Sequence, residues 1–91
     1  MYHILFYNTV SDYVEKRAPF REEHLNLIKL AHKDGHLVMA GALADPADAG
    51  VFIFKIKDPK IAEEFAKNDP YVKNGLVTKW EVRPWTVVIG G

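Results

Sequence analysis

Two short segments, residues 2–7 and 51–56, restrict the possible folds of this chain most. Each is rich in aromatic and β-branched residues, and each is apolar on both faces that a β-strand would present. A strand of this kind is covered on both sides in a folded protein. The sequence therefore predicts a sheet in which these two segments are central strands.

An amphipathic segment follows each central strand and predicts a helix. Residues 19–33 repeat apolar side chains at helical spacing, with charged residues opposite, and Gly35 then supplies a C-terminal stop. In the second half, Asp58 and Pro59 favour the start of a helix. That helix should end near Asp69, because the proline after it disfavours helical dihedral angles.

Two further β-prone segments, residues 36–43 and 76–83, complete the order β-α-β-β-α-β, and we expect Pro84 to end the last strand. This order predicts an α+β, ferredoxin-like fold with a four-stranded antiparallel sheet and both helices on one face. We assign residues 1–91 to a single domain of this kind. The apolar tail, residues 85–89, should pair with a sheet edge or with another subunit.

The second face of such a sheet receives no helix from this chain. We expect Leu5, Tyr7, Phe52 and Phe54 to include residues that point to that uncovered side. An exposed apolar face of this size marks an interaction surface. The sequence therefore predicts a homodimer in which two sheets pack face to face.

The composition excludes several classes of function. The 12 basic and 12 acidic residues cancel, so no basic excess favours nucleic acid or an anionic membrane as a partner. Cysteine is absent, which removes disulfides and thiolate nucleophiles. No segment approaches the run of about 20 apolar residues that a membrane span requires, and the N-terminus lacks the features of a secretory signal. We expect a cytoplasmic protein that contacts no membrane.

The candidate functional residues are a histidine, an aspartate, two arginines and a tyrosine. His24 occupies the middle of the apolar stripe of the first predicted helix, with Arg21 one turn away and Arg17 further along that side. An imidazole takes and gives protons near neutral pH when a carboxylate fixes its tautomer, and Asp69 is the best partner available. Arginine binds a carboxylate or enolate through its planar fork. Tyr71, beside Asp69, can line the same pocket.

Each of these residues also has a purely structural interpretation. A histidine on an apolar helix face is more often a packed core residue, and an aspartate before proline often caps the amides of a turn. Arg17 and Arg21 can lie on a solvated face balanced by neighbouring glutamates. His32 and His36 have a metal-ligand spacing, but Gly35 interrupts the helix between them, so we expect no metal site.

Several short motifs resemble the YCII-like family of small bacterial proteins, and they follow one another over almost the whole chain. They are Glu15-Lys16-Arg17, Arg21-x-x-His24-Leu25, Gly35-x-Leu37, Ala40-Gly41, Asp69-Pro70-Tyr71 and Val82-x-Pro84-Trp85. The resemblance implies the dimeric α/β-barrel superfamily, with an acid/base site formed by His24 and Asp69. It also places Arg17 and Arg21 at arginine positions of the family pattern.

The resemblance further implies proton-transfer or elimination chemistry, since related proteins act on chlorinated hydroxyquinones or resemble muconolactone isomerases. Our first hypothesis is a cofactor-independent acid/base enzyme of isomerase or dehydrochlorinase/lyase type, acting on a small anionic or enolisable cyclic compound. His24 would exchange the proton, Asp69 would orient its ring, and the substrate would contact Arg17, Arg21 and Tyr71. The alternative is a non-catalytic dimer that binds a small anion or acts as an accessory module. Spacing alone leaves open whether His24 and Asp69 meet within one chain or in a dimer cleft.

Overall fold

Four strands and four helices make up the computed structural model, which describes residues 1–91. In chain order they are β1 (Tyr2–Thr9), α1 (Tyr13–Lys16), a 3-10 turn (Ala18–Phe20), α2 (Arg21–Lys33), β2 (Leu37–Ala42), β3 (Ala49–Lys55), α3 (Lys60–Asn68), α4 (Pro70–Lys73) and β4 (Val77–Trp85). None of these helices has the length and apolar character needed to span a membrane.

The sheet has the strand order β2-β3-β1-β4, and every neighbouring pair is antiparallel. The two segments that are apolar on both faces, β1 and β3, are the two central strands, as predicted. The helices cover one face of the sheet and enclose the core against it. The predicted ferredoxin-like α+β fold is therefore confirmed.

The core lies between the sheet and the helices. Leu5, Tyr7, Phe52 and Phe54 are all buried there, and Phe65 of α3 packs 5.3 Å and 5.5 Å from the two phenylalanine rings, centroid to centroid. The expectation that some of these four strand residues face the uncovered side is wrong. Alternation along a strand separates two faces, but it does not say which of them the helices will cover.

The face without helices carries the other alternating set of residues. We call it the open sheet face and define it by the half-buried side chains of Tyr2, Ile4, Phe6, Val51 and Ile53. All five are apolar or aromatic. The sheet therefore has an uncovered apolar face, as predicted, but different residues form it.

The first long helix begins later than predicted. Pro19 lies in the 3-10 turn, and α2 starts at Arg21, because proline is compatible with the entry to a helix but lacks the N–H of a regular turn. Leu30 of α2 is 56% exposed. His24 is the one buried residue of α2. Gly35 follows the helix with φ +83°, the left-handed conformation expected of its stop signal.

The last strand continues through Pro84, contrary to prediction. Pro84 lies opposite His3, and β4 ends one residue later at Trp85. A proline fits here because β4 is an edge strand and one of its sides has no ladder partner to receive an N–H. Beyond Trp85 the tail forms no strand with this chain. It lies at one end of the open sheet face, where Val87 and Ile89 line a groove with Tyr2 and Ile53.

Candidate active site

The Asp-Pro turn between α3 and α4 holds Asp69 in an extended conformation, with φ −72° and ψ 125°. Pro70 requires such a conformation in the residue before it. One carboxylate oxygen of Asp69, Oδ1, accepts a hydrogen bond from the backbone N–H of Tyr71 at 3.0 Å, which caps α4. The capping role considered for Asp69 is therefore real, but it uses only part of the carboxylate.

The same carboxylate contacts His24. The Nδ1 atom of His24 lies 2.8 Å from Oδ1 and 2.9 Å from Oδ2 of Asp69. Both residues belong to one chain, so no second subunit is needed to bring them together. His24 is 7% exposed and Asp69 is fully buried, which shields this hydrogen bond from water.

A third side chain, Tyr7 of β1, completes the surroundings of Asp69. Its hydroxyl donates a 2.7 Å hydrogen bond to Oδ2. Burial, reinforced by the charge of Asp69 and this hydrogen bond, raises the pKa of Tyr7 well above its usual range. Sequence reasoning missed this role, because a tyrosine in a central strand has the same pattern as a core aromatic residue. The only available signal was a polar atom at a buried position.

Tyr71 packs directly on the histidine. The rings of Tyr71 and His24 are stacked, with centroids 3.7 Å apart and planes 10° apart. The Tyr71 hydroxyl is buried without a hydrogen-bond partner. Burial, together with nearby Tyr13, raises the pKa of Tyr71, while Arg21 and Arg17 oppose the rise. The stack restricts rotation of the imidazole from one side.

These residues border a cavity of about 280 Å³, which lies between α2 and the ends of β2 and β3. Tyr7, His24 and Tyr71 line it from the core side; Arg17, between α1 and the 3-10 turn, and Arg21, the first residue of α2, line the other side. The remaining walls are mainly apolar or small residues. The structure thus brings four of the five predicted site residues to one cavity, while Asp69 lies behind His24 and Tyr71.

Neither arginine is neutralised by a carboxylate. The salt bridges of the chain join Lys16 to Asp12 and Lys67 to Glu64, and the carboxylate of Asp69 is engaged by His24. Arg17 instead makes a long contact of 3.5 Å with the Tyr13 hydroxyl, and its guanidinium lies 5.3 Å from the Tyr13 ring centroid. The glutamate-balanced arrangement considered for the arginines does not form. No acidic residue lines the cavity, so its wall is electropositive.

The geometry leaves one imidazole nitrogen of His24 available. Nδ1 is engaged by Asp69, whereas Nε2 has no partner in the protein and is not among the buried unpartnered atoms. A carboxylate that accepts from Nδ1–H stabilises the tautomer whose Nε2 carries a lone pair. Such a histidine can accept a proton from a molecule in the cavity and return it.

His32 and His36, near the C-terminal end of α2, do not take part in this site. Nδ1 of His32 lies 2.8 Å from the carbonyl oxygen of Leu37, a contact that ties the end of α2 to β2. His36 lies between these two elements, and its carbonyl accepts from Lys55 N–H. The chain contains no group of three or more histidine, aspartate or glutamate side chains placed to hold a metal ion.

Two solved structures share the fold. The 5-chloro-2-hydroxyhydroquinone dehydrochlorinase of Burkholderia phenoliruptrix, in complex with 2,5-dihydroxybenzoquinone, superposes with a TM-score of 0.79, 16% identity and 94% coverage of both chains. A NIPSNAP domain protein of Burkholderia xenovorans gives a TM-score of 0.53 and 12% identity, covering 99% of this chain and 98% of its own. At these low sequence identities, the similarity shows a shared fold and nothing more.

Sequence comparison identifies nearer relatives. A protein of Haemophilus influenzae is 31% identical, and protein YciI of Escherichia coli is 30% identical; each match covers 97% of this chain and 99% of the relative. Residues 1–86 match the family model of the YCII-related domain. These matches confirm the resemblance seen in the sequence motifs, and the chain belongs to the YCII-related domain family.

Proposed function

We propose that this protein is a cofactor-independent acid/base enzyme of isomerase or dehydrochlorinase/lyase type. Its substrate would be a small anionic or enolisable cyclic compound. One observation carries the proposal: His24, held by a buried carboxylate, borders a cavity that is also lined by two arginines without acidic partners. A proton acceptor and a site for negative charge thus occupy the same small space.

The proposed reaction begins with His24. Nε2 takes a proton from a substrate carbon next to a carbonyl, and the electron pair of that C–H bond moves into the carbonyl to give an enolate. In an isomerisation, the protonated imidazole returns the proton to another carbon of the enolate. In an elimination, the electrons of the enolate expel a leaving group such as chloride, and the protonated imidazole releases its proton to solvent. Asp69 orients the ring throughout and offsets the positive charge that His24 gains.

Arg17 and Arg21 supply the electrostatic part of the proposal. An enolate carries its charge on oxygen, and a guanidinium stabilises that oxygen through charge-assisted hydrogen bonds. Arg17 is half-buried, so its charge is less screened than that of exposed Arg21. Tyr71 offers an aromatic wall that fixes the imidazole and limits the space available beside it.

The size of the cavity limits the substrate class. At about 280 Å³ it lies near the lower end of ligand pockets, which are typically about 300–1,000 Å³. A single substituted ring fits this volume better than a fused or extended molecule. The structural neighbour that binds 2,5-dihydroxybenzoquinone makes hydroxyquinones a reasonable first set of test compounds.

Assembly as a homodimer through the open sheet face is part of the same proposal. Tyr2, Ile4, Phe6, Val51 and Ile53 form an apolar strip across the two central strands. Burying such a strip against a second copy removes apolar surface from water and stabilises a small chain. A second copy has the same strip and is therefore a complementary partner.

A ligand screen followed by product analysis tests the proposal. Hydroxyquinones and carboxylated lactones are first ranked by the rise in melting temperature, since a ligand that binds the folded state stabilises it whether or not it reacts. Each hit is then incubated with wild type, His24→Gln and, as a matched control outside the cavity, His36→Gln. We expect conversion by wild type and His36→Gln and none by His24→Gln.

Two results would contradict the proposed activity. Conversion by His24→Gln at the rate of wild type would show that His24 takes no part in the reaction. Stabilising ligands that wild type leaves chemically unchanged, including at their exchangeable ring protons, would favour the non-catalytic binding module.

A further inference from the structure

The Asp69 carboxylate is held from three different elements. Tyr71 N–H at the start of α4 donates to Oδ1 at 3.0 Å, and the Tyr7 hydroxyl on β1 donates to Oδ2 at 2.7 Å. The Nδ1 of His24 on α2 faces both oxygens at nearly equal distances, 2.8 Å and 2.9 Å. Each oxygen therefore has its own fixed donor in addition to the histidine.

The two fixed donors differ in kind. Tyr71 N–H belongs to the backbone, so no side-chain substitution at that position removes it. Tyr7 donates through its side chain, from a central strand whose backbone pairs with Gly50 on one side and Trp80 on the other. Apart from His24 itself, the Tyr7 hydroxyl is thus the one side-chain donor that holds the carboxylate against rotation about its Oδ1 anchor.

We infer that Tyr7 is a positioning residue of this site, and that its hydroxyl fixes the carboxylate of Asp69 so that both oxygens face Nδ1 of His24. Without that donor, Oδ2 is a buried charged oxygen whose only remaining contact is shared with Oδ1. Buried polar groups left in this state rearrange or admit water. Either response disturbs the hydrogen bond that sets the histidine tautomer.

The competing explanation is that Tyr7 only fills space. Its ring packs 4.6 Å from that of Phe52, centroid to centroid, and a phenylalanine would keep this contact. Tyr7→Phe therefore separates the two explanations, because it removes the hydroxyl and retains the ring. Tyr13→Phe is the matched control: Tyr13 is also buried and lines the same cavity, but its hydroxyl contacts Arg17 rather than Asp69.

Nuclear magnetic resonance of ¹⁵N-histidine-labelled protein provides the test, and it requires no substrate. In wild type and in Tyr13→Phe we expect a slowly exchanging Nδ1–H proton for His24 and the tautomer with unprotonated Nε2. In Tyr7→Phe we expect this proton signal to shift and to broaden through faster exchange. An unchanged signal in a folded Tyr7→Phe protein would overturn the inference.

A second measurement uses wild type alone and so does not depend on the variant folding. The Tyr7 hydroxyl proton should be protected from exchange and should give a cross-peak to the Nδ1–H proton of His24, since both point at Oδ2. A Tyr7 hydroxyl proton that exchanges as fast as that of a free tyrosine would contradict the inference.

The catalytic consequence of this inference rests on the proposed function and has a separate readout. On any substrate that wild type converts, Tyr7→Phe should lower kcat roughly tenfold to a hundredfold and change KM little, because the lost hydroxyl points at Asp69 while the ring that lines the cavity is retained. Absence of turnover in every variant would defeat the proposed function but not the positioning role. An unchanged His24 signal alongside normal turnover would defeat only the positioning role.

Discussion

Nδ1 of His24 lies 2.8 Å from Oδ1 and 2.9 Å from Oδ2 of Asp69, two residues separated by 45 positions in the sequence. The bond joins the first turn of α2 to the residue that ends α3. Because Asp69 also caps α4, the turn that ends α3 sets the position of the carboxylate relative to the imidazole. Local chain geometry and the candidate site therefore depend on the same side chain.

Asp69→Asn should separate the structural role of this residue from its electrostatic role. The amide oxygen, in the place of Oδ1, can still accept from Tyr71 N–H and from His24, but the NH₂ group in the place of Oδ2 cannot accept from the Tyr7 hydroxyl. We expect the free energy of unfolding to fall by about 1–3 kcal/mol, the cost of breaking a buried hydrogen bond. Urea unfolding measures it, with Asp58→Asn as a control, since Asp58 caps α3 at an exposed site. Equal losses in both variants would contradict the buried network.

Arg17→Gln and Arg21→Gln should weaken binding of anionic ring compounds with little effect on stability. Neither guanidinium has a carboxylate partner to lose, and both line the cavity. A charge-assisted hydrogen bond contributes about 1.5–3 kcal/mol, which corresponds to a rise in Kd of roughly tenfold or more. Titration calorimetry with a ligand from the screen checks this. Lys16→Gln, which removes a cation outside the cavity, should leave Kd unchanged; an equal effect there would indicate general charge attraction.

The buried tyrosines predict a loss of stability at alkaline pH. Burial raises the pKa of Tyr7 and of Tyr71 above the ordinary value of 10.0. Tyrosines of the unfolded chain therefore ionise first, so the stabilisation is complete below pH 10 and is lost as the pH rises above it. The expected slope is about 1.4 kcal/mol per pH unit for Tyr7, and Tyr71 adds to the loss in the same direction.

Urea unfolding as a function of pH measures that slope. Tyr7→Phe removes one of the two contributions, so the decline above about pH 10 should become shallower. A decline of the same steepness in wild type and Tyr7→Phe would show that Tyr7 ionises as readily in the folded protein as in the unfolded chain.

The proposed dimer predicts that a charge on the open sheet face yields a monomer. Ile53 lies in a central strand of that face, opposite Ile4. Ile53→Asp would bury an unpaired carboxylate between two sheets, which costs more than the contact supplies. Light scattering should give the mass of a dimer for wild type and of a monomer for the variant. Leu30→Asp, at an exposed position of α2, should remain dimeric; a monomeric wild type at micromolar concentration would contradict the proposal.

The sequence predicted the two central strands well, because the segments that form β1 and β3 are apolar at both sets of alternating positions. It did not predict which face of these strands the helices cover. Leu5 and Phe54 point to the helices rather than away from them. It also ended β4 too early at Pro84, since a proline stops a central strand but not an edge strand. Both errors concern long-range placement, which local patterns do not contain.

The candidate site was predictable where a residue was out of place in its pattern. A histidine at the centre of an apolar stripe, and an aspartate before proline, each stood out from the surrounding sequence. Tyr7 did not stand out, because a tyrosine in an apolar strand matches the pattern of a core aromatic residue and the pattern gives no information about its hydroxyl. The meeting of His24 with Asp69 within one chain was equally hidden, since it depends on how α2 and α3 lie over the sheet.

Solvent deuterium exchange tests the central claim most directly, since it detects proton transfer at His24 even when no net product forms. Enolisable ring compounds that stabilise the protein are incubated in D₂O with wild type or His24→Gln. The ring C–H signals are followed by proton nuclear magnetic resonance. Wild type is predicted to replace a ring proton by deuterium faster than buffer, whereas His24→Gln should match buffer. Equal exchange by wild type and His24→Gln would contradict the assignment of His24 as the acid/base residue.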